Sequence, residues 1–132
     1  MSVVARLRGV GLRPTRQRVA LARLLLEKGG RHITAEQLHG EARAAAVRVS
    51  LATVYNTLHQ FTEAGLLREV IVDPGRSYFD TNTSEHHHFF DEGTGELLDI
   101  GADVVVSGLP LPPSGTQVHR LDIVVRVGPE RR

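Results

Sequence analysis

Apolar residues return at helical spacing through the first half of the chain and at strand spacing through the second. A short helix is expected around Val3 to Arg8. Thr15 then offers an N-cap after Pro14, and Val19, Ala22, Leu25 and Leu26 recur with helical period until Gly29-Gly30 stops the run. Thr34-Ala35-Glu36-Gln37 reads as a capping box opening a helix to about Ala45. Ser50 caps a third helix, in which Leu51, Val54, Leu58 and Phe61 draw one apolar stripe at spacings of 3, 4 and 3, and Gly65 ends it. Beyond it, Leu66 to Val72 and Arg76 to Thr81 read as strands joined by the turn Asp73-Pro74-Gly75. Glu96 to Ile100, Val104 to Val106 and His119 to Val127 are further expected strands. Asp91 to Gly95 is a turn, and the Pro-rich stretch from Gly108 to Gly115 is a loop.

Helices followed by a two-stranded ribbon make the winged form of the helix-turn-helix pattern, whose last helix enters the major groove. With Leu51, Val54, Leu58 and Phe61 turned inward, Ser50, Ala52, Thr53, Tyr55, Asn56, His59 and Gln60 form the outward side. Asn can pair with adenine, and Ala or Thr methyls can meet the thymine methyl. Tyr55 suits either a phosphate or an apolar base edge. Arg13, Arg16, Arg18 and Arg48 are candidates for phosphate contacts, which position without reading sequence. Each residue alone has a bland reading: a solvated arginine, a half-buried core tyrosine. The face as a whole is more specific than its parts. The DNA-contacting set is Arg13, Thr15, Arg16, Ser50, Thr53, Tyr55 and Asn56.

Charge sharpens the division. The 132 residues carry a net +1, but residues 1–70 hold eleven Arg/Lys against five acids, a net +6, and residues 71–132 hold five against ten, a net −5. A basic half suits a polyanion and an acidic, histidine-rich half suits a cation. The absence of cysteine excludes disulfides and thiolate metal sites, so any metal must use His, Asp and Glu. No apolar run reaches a membrane span and the first residues are no signal peptide, so a cytoplasmic location is expected.

The chemistry centres on Glu85-His86-His87-His88-Phe89-Phe90. In a strand, His86 and His88 would share one face and His87 the other. That suits one metal site built on the pair, with a second site or a haem ligand behind it; three adjacent histidines alone could equally be a polar patch. Asp80 closes the second wing strand and Asp99 the strand after the His run, and both join the ligand candidates. Phe89-Phe90 should start the core on the far side of the run. His32 lies in a loop and joins the candidates if the fold brings that loop beside Asp80. His39 and His59 read as helix-surface residues, His59 with a possible DNA contact. The exposed hydrophobic strand of a small sheet calls for a partner, and a homodimer is the simple answer.

These residues together resemble the ferric uptake regulator family of metal-responsive repressors. The resemblance rests on Gly11-Leu12-Arg13-Pro14-Thr15-Arg16-Gln17-Arg18, His32-Ile33-Thr34-Ala35-Glu36, Leu51-Ala52-Thr53-Val54-Tyr55-Asn56-Thr57-Leu58 and the His run. It is close over residues 9–100 and looser afterwards. It implies an α+β fold: an N-terminal winged helix-turn-helix domain over residues 1–81, then a small α/β dimerisation domain over residues 82–132. It also implies a regulatory divalent metal (iron, manganese or zinc) on His32, Asp80, His86, His88 and Asp99. A second metal or haem site would draw on Glu85, His87 and His119. Tyr55 and Asn56 stand where the family reads bases; many members carry Arg at the second of these, which implies a different operator preference.

Two departures stand out. The family's structural zinc uses paired Cys-x-x-Cys motifs, but Asp91 and Thr94 stand where the first pair would be, so that zinc is expected to be absent. The helix usual between the last strands gives way to the Pro-rich loop. With Asn56 and the His triplet, these resemble the iron response regulator branch, in which haem is the signal. The implied function is a homodimeric repressor of iron and haem homeostasis genes on a palindromic DNA operator, with no membrane partner. The alternatives are an ordinary metal sensor, or a peroxide sensor in which iron oxidises a ligand histidine. A DNA-binding module that senses nothing is a third. A small iron enzyme using two histidines and a carboxylate is the reading from another class, and the chain offers it no nucleophile or spare acid–base pair.

Overall fold

The computed structural model describes residues 2–101 and 104–130. The chain forms two compact units, Met1–Ser84 and Glu85–Arg132.

The first unit begins with four helices: α1 (Val3–Gly9), α2 (Arg16–Leu26), α3 (Ala35–Ala44) and α4 (Leu51–Glu63), with a two-residue strand β1 (His32–Ile33) between α2 and α3. Local chemistry sets each start. Ser2, Thr15, Thr34 and Ser50 are extended N-caps whose hydroxyls accept from the backbone N–H three residues on. Thr34 and Gln37 complete a reciprocal capping box. The ends are equally specific. At α4, Gly65 N–H bonds to Thr62 O at 3.1 Å and Leu66 N–H to Phe61 O at 2.9 Å, with Gly65 at φ +85°. This is a Schellman motif, which places one residue in the left-handed region. α3 ends the same way, through Ala46 N–H to Arg43 O and Val47 N–H to Ala42 O. There the left-handed residue is an alanine, Ala46 at φ 58°.

The hairpin β2 (Arg68–Asp73) and β3 (Arg76–Asp80) follows, turning through Pro74-Gly75. β1 adds to it in the order β1-β3-β2. The core gathers Leu7, Leu21, Leu25, Ile33, Leu38, Val54, Leu58, Phe61 and Phe79, all but closed to solvent. α4 supplies its Val54-Leu58-Phe61 stripe, as its periodicity predicts. This is the winged helix-turn-helix expected, with a third strand, β1, where the sequence alone suggests a loop.

The second unit contains β4 (His88–Asp91), β5 (Leu97–Asp99) and β6 (Val124–Val127) in the order β5-β4-β6, β4 pairing antiparallel to β5 and parallel to β6. Its described residues include no helix. Among its described residues the buried apolar ones are Phe90 and Leu97, and the Arg126 guanidinium lies over the Phe90 ring at 5.7 Å. Phe89 is 36% exposed, so of the expected Phe pair only Phe90 is core.

Two expected strands are corrected. Val104 to Val106 are not a strand, and Val105 is 89% exposed. β-branched residues favour extended backbone, but a strand needs a neighbour to take its N–H and C=O groups, and none of the described strands lies beside these. His119 to Val127 shrinks to Val124–Val127 because β4, its partner, is only four residues long. His119 therefore stands outside the strand.

Candidate metal centre and nucleic-acid interface

Cross-strand register sets the first pair of ligand candidates. β1 pairs antiparallel to β3 with His32 directly opposite Asp80. Opposed residues on one sheet face carry their side chains within reach of each other. His32 Nε2 lies 3.1 Å from Asp80 Oδ2, and Asp80 is 1% exposed. The other carboxylate oxygen of Asp80 accepts from Asn82 N–H at 2.8 Å. Main-chain and side-chain bonds hold β1 in place: Thr81 N–H to Arg31 O at 3.1 Å, and Arg31 N–H to Thr81 Oγ1 at 3.0 Å. The Arg31 side chain donates to Leu24 O and Glu41 Oε1 and pairs with Glu41 Oε2. Glu41 is held below the usual carboxylate range, mainly by the Arg31 hydrogen bonds, against a smaller opposing effect of burial.

The second unit repeats the device. β4 and β5 set His88 opposite Asp99. His88 is 1% exposed, at the start of the central strand. His86 and His87 precede the strand, yet keep its alternation. The rings of His86 and His88 lie 4.5 Å apart, and Asp99 Oδ1 is 3.2 Å from His86 Nε2 and 3.3 Å from His88 Nε2. His87 turns elsewhere, its Nδ1 accepting from Ile123 N–H at 3.1 Å, which leaves Nε2 as its other ring nitrogen.

Two imidazole nitrogens aimed at one carboxylate oxygen are either two N–H donors or three ligand atoms facing one point. Ligands about 2.1 Å from a common ion, at tetrahedral or octahedral angles, lie about 3.0–3.4 Å from each other. The 3.1 Å separation in the first unit and the 3.2 and 3.3 Å separations in the second fall in that range. The donors are imidazole and carboxylate, suited to iron, manganese or zinc. Glu85, His87 and His119, the expected second site, form no such cluster among the described residues.

The DNA-facing candidates divide in two. Thr15, Ser50 and Thr53 act first in capping: Thr15 Oγ1 accepts from Arg18 N–H, and Ser50 Oγ accepts from Thr53 N–H while donating to Thr53 Oγ1. Arg13, Arg16, Arg48 and Asn56 are exposed, with Ala52 beside Asn56 on α4. Arg18 instead braces α2 to α4, its guanidinium donating to Gln60 Oε1 and Arg13 O. The rings of His59 and Phe79 pack edge to face with centroids 5.7 Å apart, and His39 Nε2 donates to Val49 O at 3.1 Å, tying α3 to the segment before α4. Tyr55 is half-buried and its hydroxyl donates to Glu36 Oε1 on α3. Sequence reasoning singled out neither Glu36 nor the Arg31–Glu41 pair. Both act through contacts between elements, which no local pattern announces.

A winged helix-turn-helix unit, with paired His and Asp side chains there and in a second sheet unit, defines a candidate metal-responsive DNA-binding protein. The family model described as "Ferric uptake regulator family" matches residues 9–109, and the chain belongs to that family. It is 34% identical over 97 residues to the peroxide-responsive repressor PerR of Staphylococcus epidermidis, covering 74% of this chain and 64% of that protein, just under two thirds of its length. Among solved structures, the Pseudomonas aeruginosa ferric uptake regulator with manganese matches at 26% identity and TM-score 0.73, over 99% of this chain and 100% of that one. The Vibrio cholerae ferric uptake regulator matches in fold at 24% identity and TM-score 0.76, over 95% and 98%. Among the described residues no helix is long and apolar enough to cross a membrane.

Proposed function

We propose that the protein is a homodimeric transcriptional regulator, mainly a repressor, that binds a palindromic DNA operator through α4 and takes a divalent metal ion as its signal. His32, Asp80, His86, His88 and Asp99 are the proposed ligands. The observation that carries the reading is Asp99 Oδ1 facing both His86 Nε2 and His88 Nε2, with the His32–Asp80 pair as its counterpart in the DNA-binding unit. Family membership and the basic first half support the DNA partner. An ion that takes ligands from both units favours whichever arrangement of them brings those ligands together, and it shifts DNA affinity only as far as its affinities for the two arrangements differ. Exposed Val105, Leu111, Leu121 and Val125 support a dimer formed through the second unit.

Two finer readings concern the signal. Regulation of iron and haem homeostasis by haem rests on the His run, with His87 Nε2 as the ring nitrogen on offer. Peroxide sensing rests on the relative named a peroxide-responsive repressor. One experiment separates them: operator binding by purified protein with manganese, iron, iron plus peroxide, or haem. DNA binding that requires manganese or iron, and that His86→Ala/His88→Ala abolishes, is the expected result. Release by peroxide from the iron-loaded protein alone selects the peroxide reading, and release by stoichiometric haem selects haem. Operator binding indifferent to all four would refute metal regulation.

A further inference from the structure

Tyr55 is the one phenol on the proposed DNA-reading helix, outside its buried stripe, and a carboxylate holds its hydroxyl. Glu36 is the second residue of α3, at the helix end where a carboxylate is favoured by the helix dipole. It lies below the usual carboxylate range, chiefly because the Tyr55 hydroxyl donates to it and secondarily through its own backbone hydrogen bond. The same bond pushes the Tyr55 phenol upward. The pair is therefore a neutral phenol donating to an ionised carboxylate at neutral pH.

A phenol has one hydrogen to donate. While Glu36 takes it, the Tyr55 oxygen can only accept. It then cannot donate to a phosphate oxygen, and the Glu36 charge beside it repels phosphate. What it can meet in the major groove is an exocyclic amino group, N6–H of adenine or N4–H of cytosine; it has nothing to offer the O6 and N7 of guanine or the O4 of thymine.

We infer that Glu36 is a specificity-determining residue: by fixing Tyr55 as an acceptor, it makes the protein select adenine or cytosine over guanine or thymine at one position of each half-site. This rests on the DNA-binding reading of α4. A residue that merely held the fold together would affect all duplexes alike, whereas this one trades specificity against general affinity. Removing its charge relieves phosphate repulsion and releases the phenol to donate as well as accept.

The test is selection of preferred duplexes from a random pool by the metal-loaded wild type, Glu36→Ala, Glu36→Gln and Tyr55→Phe, followed by affinity measurements on selected and unrelated duplexes. Glu36→Ala should relax one position per half-site to admit guanine or thymine while its affinity for unrelated duplex rises. Tyr55→Phe should lose the preference at the same position. Glu36→Gln, which still offers an acceptor oxygen, should keep it. Replacing the selected adenine by purine, or the selected cytosine by 2-pyrimidinone, removes only the amino group. It should weaken wild-type binding about twofold to tenfold, the value of one hydrogen bond, and leave Tyr55→Phe unaffected. Glu36→Ala that keeps the wild-type preference, or loses specific and unrelated binding in parallel, would overturn the inference while leaving DNA binding intact. A wild type that selects no sequence would overturn the DNA-binding reading and this inference with it.

Discussion

Glu41→Gln tests whether the Arg31 clamp holds His32 in register. Arg31 joins the end of α2, the body of α3 and the end of β3, and its neighbour in the chain is His32. Glu41 receives both arms of its guanidinium, with side chains 21% and 29% exposed, and Lys28 Nζ lies 3.6 Å from the same carboxylate. Glutamine keeps one acceptor and loses the charge. Hydrogen bonds to charged groups are worth about 1.5–3 kcal/mol and exposed ion pairs about 0.2–1 kcal/mol, so this part-buried fork should contribute about 1–2 kcal/mol at neutral pH. In a unit of this size each kcal/mol moves the midpoint roughly 4–8 °C. The chain has two tyrosines, Tyr55 and Tyr78, and no tryptophan, so tyrosine fluorescence reports on the first unit alone.

The pH dependence fixes the cause. Glu41 is depressed in the folded state, so its contribution is complete above the ordinary glutamate value of about 4.3 and is lost as pH falls through the lower folded value. The difference between wild type and Glu41→Gln should stay constant from pH 7 to about 5 and close below about 4. Because Arg31 precedes the proposed ligand His32, the variant should also bind metal more weakly, read by metal titration. A stability difference that is absent at pH 7, or unchanged at pH 3.5, would refute the clamp.

Two further outcomes are expected. Ala46→Gly should raise the urea midpoint with unchanged slope. A left-handed L-residue costs about 1–2 kcal/mol and glycine's entropy about 0.5–1 kcal/mol, for a net gain of roughly 0.5–1 kcal/mol; a lower midpoint would contradict the strain assigned to Ala46. Thr34→Ala removes one side of the capping box and should cost about 1 kcal/mol, read by the same fluorescence melt, with Thr34→Ser restoring most of it. Equal melts for all three proteins would show that the cap is not a determinant of α3.

The parts of this fold legible in the sequence are those fixed by neighbours in the chain. Thr15, Thr34 with Gln37, and Ser50 start helices through bonds three residues long, and Gly65 marks the end of one, its own N–H bonded to Thr62 O and that of Leu66 to Phe61 O. β1 was illegible for the opposite reason. Two residues have no periodicity, and His32–Ile33 is a strand only because β3 lies beside it. The same dependence shortened His119–Val127 and removed Val104–Val106: residue preference was right, and the partner was missing. At the site, the parity of His86 and His88 was readable because extended backbone alternates even outside a strand. That His32 lies against Asp80 was readable only as a condition, and the Tyr55–Glu36 bond, spanning 19 residues between helices, not at all.

Asp80 and His88 occupy equivalent places. Each is at one end of the middle strand of a three-stranded sheet, each is 1% exposed, and each faces a candidate ligand on a flanking strand in direct register. A middle strand can offer neither residue water, so protein partners must supply what solvent does not, as His32 Nε2 and Asn82 N–H do for Asp80. Apolar residues of similar volume at these positions would often stabilise a sheet, so retaining His and Asp works against stability. The second unit is least able to bear this: among its described residues the buried apolar ones are Phe90 and Leu97, and His88 is buried too. A unit of 48 residues lies near the size below which metals or partners usually complete a fold. The same substitution of polar for apolar that weakens the sheet creates the proposed donor set, so an ion held there would also order this unit.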